Sequence, residues 1–202
     1  MKKSHLITYG VALVLMIVSY VLYLTIYLNS SPTFYNHSFH LFGIVLVFVP
    51  LLFELIFKKD LPLGIIIAYY VFVFMSQIWG SAYHGYNRVP FLDSVCHGFS
   101  AILIAVFFAY ISNEFLTGKP IFYQVVYLVG ATVLVGVLWE IVEFCGDSWF
   151  GMNNQVYRGD NGLLIGQEAL KDTMEDLICD LCGGVLGTIA YVLCDRFRVK
   201  GK

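Results

Sequence analysis

Residues 166–184 run GQEALKDTMEDLICDLCGG, and the chain's last apolar run begins inside them. Asp172, Asp176 and Asp180 recur there at a spacing of four. On a helix that spacing stacks three carboxylates along one face. At roughly 1.5 Å per residue, Asp180 lies about 12 Å further along the axis than Asp172. If the helix enters a membrane, Asp180 sits below the interface, where a carboxylate is costly unless protonated, paired or bound to a metal. Two other apolar segments carry groups that could meet it, Asp93 with His97 and Glu140 with Glu143. The remainder of the chain reads as the scaffold that brings the three segments together.

Composition points the same way. Of 202 residues, 59% are hydrophobic and 13% charged, whereas a soluble domain is about 25% charged. Mean hydropathy is +0.77. The expected fold is therefore all-α, a polytopic transmembrane helical bundle of six spans forming a single integral membrane domain over 1–202. A net charge of −2 gives no reason to expect nucleic-acid binding. The five cysteines lie mostly within apolar runs, which argues against a disulfide framework.

The expected spans are 6–28, 41–57, 63–79, 93–116, 121–144 and 172–194. The first apolar run is too long for a signal peptide and is read as a helix that stays. One long loop, 145–171, separates the last two spans. With six spans both termini share a side. That side carries Lys2, Lys3, Lys58, Lys59, Lys119, Arg196, Arg198, Lys200 and Lys202, against Arg88, Arg158 and Lys171 opposite. Basic residues favour the cytoplasm, so both termini are expected inside and loop 145–171 outside. The localisation that follows is the bacterial cytoplasmic (inner) membrane. Trp79, Trp139 and Trp149 then fall near the outer interface, as an aromatic belt would.

In this topology Asp93 and His97 open the fourth span, Glu140 and Glu143 close the fifth, and Asp172, Asp176 and Asp180 open the sixth. All lie at the same outer level. Ten of 14 acidic residues fall on that side, against three basic ones. Salt bridges cannot balance such a surplus, so some carboxylates must be solvated, protonated or bound to cations.

Asp93 and His97 stand at i and i+4, a spacing that lets a carboxylate hold the imidazole while its other nitrogen takes a metal. A helix cap and a hydrogen-bonded interface histidine account for the pair equally well. Glu140 lies deeper than Glu143 and is the stronger functional candidate. Asp172 could simply favour the positive end of the helix dipole. That explanation weakens at Asp176 and fails at Asp180. The expected ligands are His97, Glu140, Glu143, Asp172, Asp176 and Asp180, and the expected catalytic groups are Asp93, His97, Glu140 and Asp176. Cys179 and Cys182 form CxxC among apolar residues, where packing is the better reading. Gly183, Gly184 and Gly187 suggest close helix contact. His37, His40 and His84 read as outer-loop surface. Glu54 reads as reaching toward Lys58 and is left out of the site. The acidic spacing shares part of the CDP-alcohol phosphotransferase signature, but its Asp-Gly and Ala-Arg portions are absent.

Three motifs in order, LDSVCHG (92–98), WEIVEF (139–144) and GQEALKDTMEDLICDLCGG (166–184), resemble the YjdF-like family of small polytopic bacterial membrane proteins. The resemblance covers about Asp93 to Gly187. It implies a multi-span inner-membrane fold and marks the same residues, without naming a reaction.

The functional expectation is a divalent metal ion (Mg²⁺, Mn²⁺, Fe²⁺ or Zn²⁺) held by oxygens and one imidazole. It would serve a hydrolase or transferase acting on a membrane lipid or an amphipathic small molecule. The alternatives are a cation- or proton-coupled transporter and a non-catalytic protein with a structural ion. A polar route inward from Asp180 would favour the transporter, but the sequence offers only Thr188 along it.

Overall fold

A computed structural model describes residues 2–27 and 42–200, the last six by backbone alone. The expected outer-loop histidines His37 and His40 lie outside the described residues. Two compact units emerge, Met1–Cys96 and His97–Lys202. Each is described by itself. Five helices among the described residues are long and apolar enough to cross a membrane: Lys3–Ile26, Leu63–Ala82, Leu92–Ile111, Ile121–Phe150 and Gln167–Cys194. The expectation of a helical polytopic membrane fold therefore holds.

The segment expected at 41–57 is described from Phe42 onward. Its apolar helix, Phe42–Phe57, belongs to the shorter class of 10–17 residues. At 1.5 Å per residue its described part is about 24 Å long. Pro50 gives a physical reason for its irregularity. A proline fits only the first turn of a helix, so the chain turns at Phe48 and restarts as Val49–Phe57 (α2).

In the first unit, α1 is Lys3–Tyr27. α3, Leu63–Val73, continues as a π-helix over Phe74–Ala82, and α4 is the short turn Gly85–Arg88. Tyrosine hydroxyls fasten these pieces. Tyr69 donates to the Leu46 carbonyl, Tyr70 to Val47, and Tyr83 to Ser19 of α1. Lys58 closes α2 in the left-handed region at φ 52° and folds the chain back. The Leu61 N–H can then donate to Glu54 Oε1 at 2.7 Å. His5 Nδ1 meets the same oxygen at 2.8 Å, with both side chains buried. Glu54 therefore faces inward to His5; the expected reach toward Lys58 is not what the structure shows.

α5, Leu92–Ile111, crosses the boundary between the units, and its residues from His97 onward belong to the second. There follow a short turn of helix, Asn113–Leu116 (α6), and the long α7, Ile121–Phe150. A two-residue hairpin pairs Arg158–Gly159 (β1) with Gly162–Leu163 (β2). α8 is Gln167–Lys200. The helices at both ends of the expected 145–171 loop run on into it, α7 to Phe150 and α8 from Gln167.

Glycines set the packing of the second unit. A Cβ at Gly183 would meet the Gly98 carbonyl and Ala101, and one at Gly187 would meet Ile102 and Ala105. Both contacts advance four residues together, so α5 and α8 run parallel. A Cβ at Gly136 would meet the Asp180 carboxyl, and one at Gly184 would meet Thr132. Here the contacts advance in opposite senses, so α7 and α8 are antiparallel. Small residues admit this close approach, as in membrane helix pairs generally. The expectation that the Gly183–Gly187 segment serves helix contact is met.

Candidate metal centre

The buried positions of α7 recur every four residues: Gln124, Leu128, Thr132, Gly136 and Glu140. The matching stripe on α8 is Asp176, Asp180, Gly184 and Thr188. Asp180 fits over Gly136, where any side chain would occupy its place. Stepping one turn outward along both antiparallel helices sets Glu140 opposite Asp176. The complementary sizes, glycine beneath aspartate and threonine beside glycine, hold this register.

α5 supplies the third wall through His97, which is buried. Its Nδ1 lies 3.3 Å from Asp180 Oδ1, and its Nε2 lies 3.7 Å from Asp176 Oδ2. The ring thus stands between two carboxylates one turn apart on α8. One orientation follows naturally. With the proton on Nδ1 facing the nearer Asp180, Nε2 carries its lone pair toward Asp176. That is the arrangement in which a carboxylate orients an imidazole for a metal on its far nitrogen.

Glu140, Asp176 and Asp180 are all nearly inaccessible, at 5%, 2% and 3% of their full exposure. Glu140 Oε1 and Asp180 Oδ2 are buried without a hydrogen-bond partner among the described residues. Buried polar atoms are seldom left so. The two basic residues that the sequence places at this end of the second unit are engaged elsewhere. Lys171 pairs with exposed Glu175 at 3.7 Å, and the Arg158 guanidinium lies over the Tyr157 ring. Three buried carboxylates around a single imidazole leave negative charge to be neutralised by protons or a cation.

The other expected residues fall as follows. Asp93 sits one turn before His97 on α5, at the end of the first unit. Asp172 is half-buried at the outer end of the α8 stripe. Glu143 does not join the α7 stripe. It accepts a hydrogen bond from Trp139 Nε1 at 2.9 Å on the exposed side of its own helix. Asp147 is buried but occupied, accepting the backbone N–H groups of Asn154 and Gln155 at 2.7 and 3.0 Å. Two contributors were not among the residues expected from the sequence. Gly136 could have been found from its four-residue spacing between Thr132 and Glu140. Gln155 gave no signal, because its place depends on how the loop turns back.

Comparison with known proteins agrees with this architecture. Residues 9–196 match the family described as "Predicted membrane protein (DUF2238)". The chain belongs to that family. A Thermotoga maritima protein printed as "Uncharacterized protein" is 32% identical over 143 residues. The match takes in 67% of this chain and 66%, just under two thirds, of that relative. No solved structure matches. The chain is thus a multi-pass membrane protein of this family, with a buried histidine beside two buried aspartates in its second unit.

Proposed function

We propose that the cluster of the second unit binds one divalent cation and that this cation acts on a lipid or amphipathic substrate by hydrolysis or group transfer. The observation that carries the reading is His97 held between Asp176 and Asp180, with Glu140 opposite and too little positive charge near. His97 Nε2 and Asp176 are the first ligands, and Glu140 the next. Asp180 is assigned to holding the His97 ring rather than to the metal itself. Asp172, one turn before Asp176 on α8, is the next carboxylate along the same face. The cation would polarise a phosphoryl or carbonyl oxygen or activate a water, and a spare carboxylate would take the proton. Nothing in the donor set chooses among Mg²⁺, Mn²⁺, Fe²⁺ and Zn²⁺.

The YjdF-like assignment is the finer family reading, supported by the three motifs in order. The basic residues support an orientation with both termini in the cytoplasm and the cluster on the outer side of the bacterial inner membrane. That level suits a substrate with a polar head and an apolar tail.

The hydroxyls below the cluster weigh against a carrier. Thr132 donates to the Leu128 carbonyl at 2.8 Å and Thr188 to Gly184 at 2.7 Å, each within its own helix. They are spent on the backbone rather than offered to a proton or ion moving inward from Asp180.

The test is release of a soluble headgroup from phospholipid vesicles by purified protein loaded with Mn²⁺ or Zn²⁺. Metal-dependent release, lost in His97→Ala with the melting temperature preserved, supports the reading. Full release by His97→Ala overturns it. Metal bound with no turnover on any lipid class would favour a structural ion.

A further inference from the structure

We propose that Gln155 is a positioning residue that fixes the Glu140 carboxylate from outside, an inference that rests on reading the cluster as a cation site. The Gln155 side-chain amide donates through Nε2 to Glu140 Oε2 at 3.1 Å and to Thr173 Oγ1 at 3.0 Å. The Glu140 backbone carbonyl lies 3.4 Å from the same nitrogen. A carbonyl and a carboxylate only accept, so the amide orientation is set by its neighbours. One side chain therefore joins α7 at Glu140 to α8 at Thr173. With Oε2 held, the buried Oε1 is the Glu140 oxygen left for a ligand.

The loop that carries Gln155 is anchored for this. Both oxygens of buried Asp147 accept backbone N–H groups, from Asn154 and from Gln155 itself. The next residue, Val156, has φ 44°. A β-branched residue in that region is strained and persists only where its surroundings impose it. Two ordered N–H groups before it and a fixed amide within the site are such surroundings. The strap fastens at Asp147 and delivers its amide to Glu140, which gives a reason for a buried aspartate two turns along α7 from Glu140.

An amide is suited to this work. It adds no charge, so it orients the carboxylate without competing with a cation, as groups behind metal ligands do. Methionine at 155 keeps much of the shape and removes the donor. The experiment is infrared spectroscopy of the purified full-length protein, with the Glu140 carboxyl band assigned by difference from Glu140→Gln. A Mn²⁺ titration accompanies it. In Gln155→Met the band is expected to move, Mn²⁺ to bind about tenfold more weakly, and the melting temperature to stay unchanged. Asp147→Asn, which loosens the anchor, should move the band in the same direction. It stands in for Gln155→Met if that variant fails to fold. An unmoved Glu140 band in Gln155→Met overturns the proposal. If the wild type binds no Mn²⁺ but the band moves, the positioning role stands and the cation reading fails. If the wild type binds Mn²⁺ and Gln155→Met leaves both the band and the binding unchanged, the cation reading stands and the positioning role fails.

Discussion

Each unit of this protein buries a histidine against a carboxylate, and the two pairs differ in what surrounds them. In the first unit His5 and Glu54 stand one to one, and Glu54 Oε1 also accepts the Leu61 N–H. The other Glu54 oxygen has no hydrogen-bond partner among the described residues. A loose oxygen therefore does not by itself distinguish the sites. Charge does. One imidazole can balance one carboxylate, and the first pair is complete as a structural tie between α1 and α2. In the second unit one imidazole faces Asp176 and Asp180, with Glu140 opposite, and it cannot balance all three. The proposal for the second unit therefore rests on its surplus of carboxylates, not on a buried His–carboxylate contact alone.

The comparison can be broken most severely with His5→Ala. It leaves a buried carboxylate without its partner, a loss of about 3–5 kcal/mol in such pairs. Unfolding in detergent should read a large destabilisation, while metal content stays at the wild-type level. Loss of metal in this variant would show that the first pair is more than a tie. Gly183→Ala comes next. Its new methyl would lie 2.7 Å from Ala101 Cβ and closer still to the Gly98 carbonyl. Overpacking of this kind costs about 1–3 kcal/mol. Melting should report it, and an unchanged melting temperature would mean that α5 and α8 pack less closely than described.

Asp180→Asn sharpens the comparison without unpacking it. The amide keeps its place over Gly136 but no longer stabilises the His97 ring as a carboxylate does. Metal affinity should fall about 10–100-fold, measured by Mn²⁺ titration, with little change in melting. Lys171→Ala is the smallest. Its pair with Glu175 is exposed on both sides, and removal should change stability by no more than about 0.5 kcal/mol.

The long apolar runs made the helices legible, and the four-residue spacing of Asp172, Asp176 and Asp180 marked the α8 face. Spacing also separated Glu140 from Glu143 only in part. Depth favoured Glu140, and the i,i+4 spacing of Trp139 and Glu143 allowed the hydrogen bond that holds Glu143 on the exposed side. Pro50 was visible, yet the break it makes in the second helix required the turn at Phe48. The π-helix at Phe74–Ala82 left no periodic trace. Glu54 looked like a partner for Lys58 because sequence neighbours are the default. The left-handed turn at Lys58 instead brings Leu61 back to it, and His5 comes from a helix 49 residues away. Gln155 was silent for the same reason, since a loop contact is set by turn geometry rather than by pattern.

The most direct test of the central claim is elemental analysis of the detergent-purified protein beside Asp176→Ala. Near-stoichiometric divalent metal in the wild type, absent from the folded variant, is the predicted result. No metal in either protein, even after loading with Mn²⁺ or Zn²⁺, would contradict it and leave shared protons to neutralise Glu140, Asp176 and Asp180.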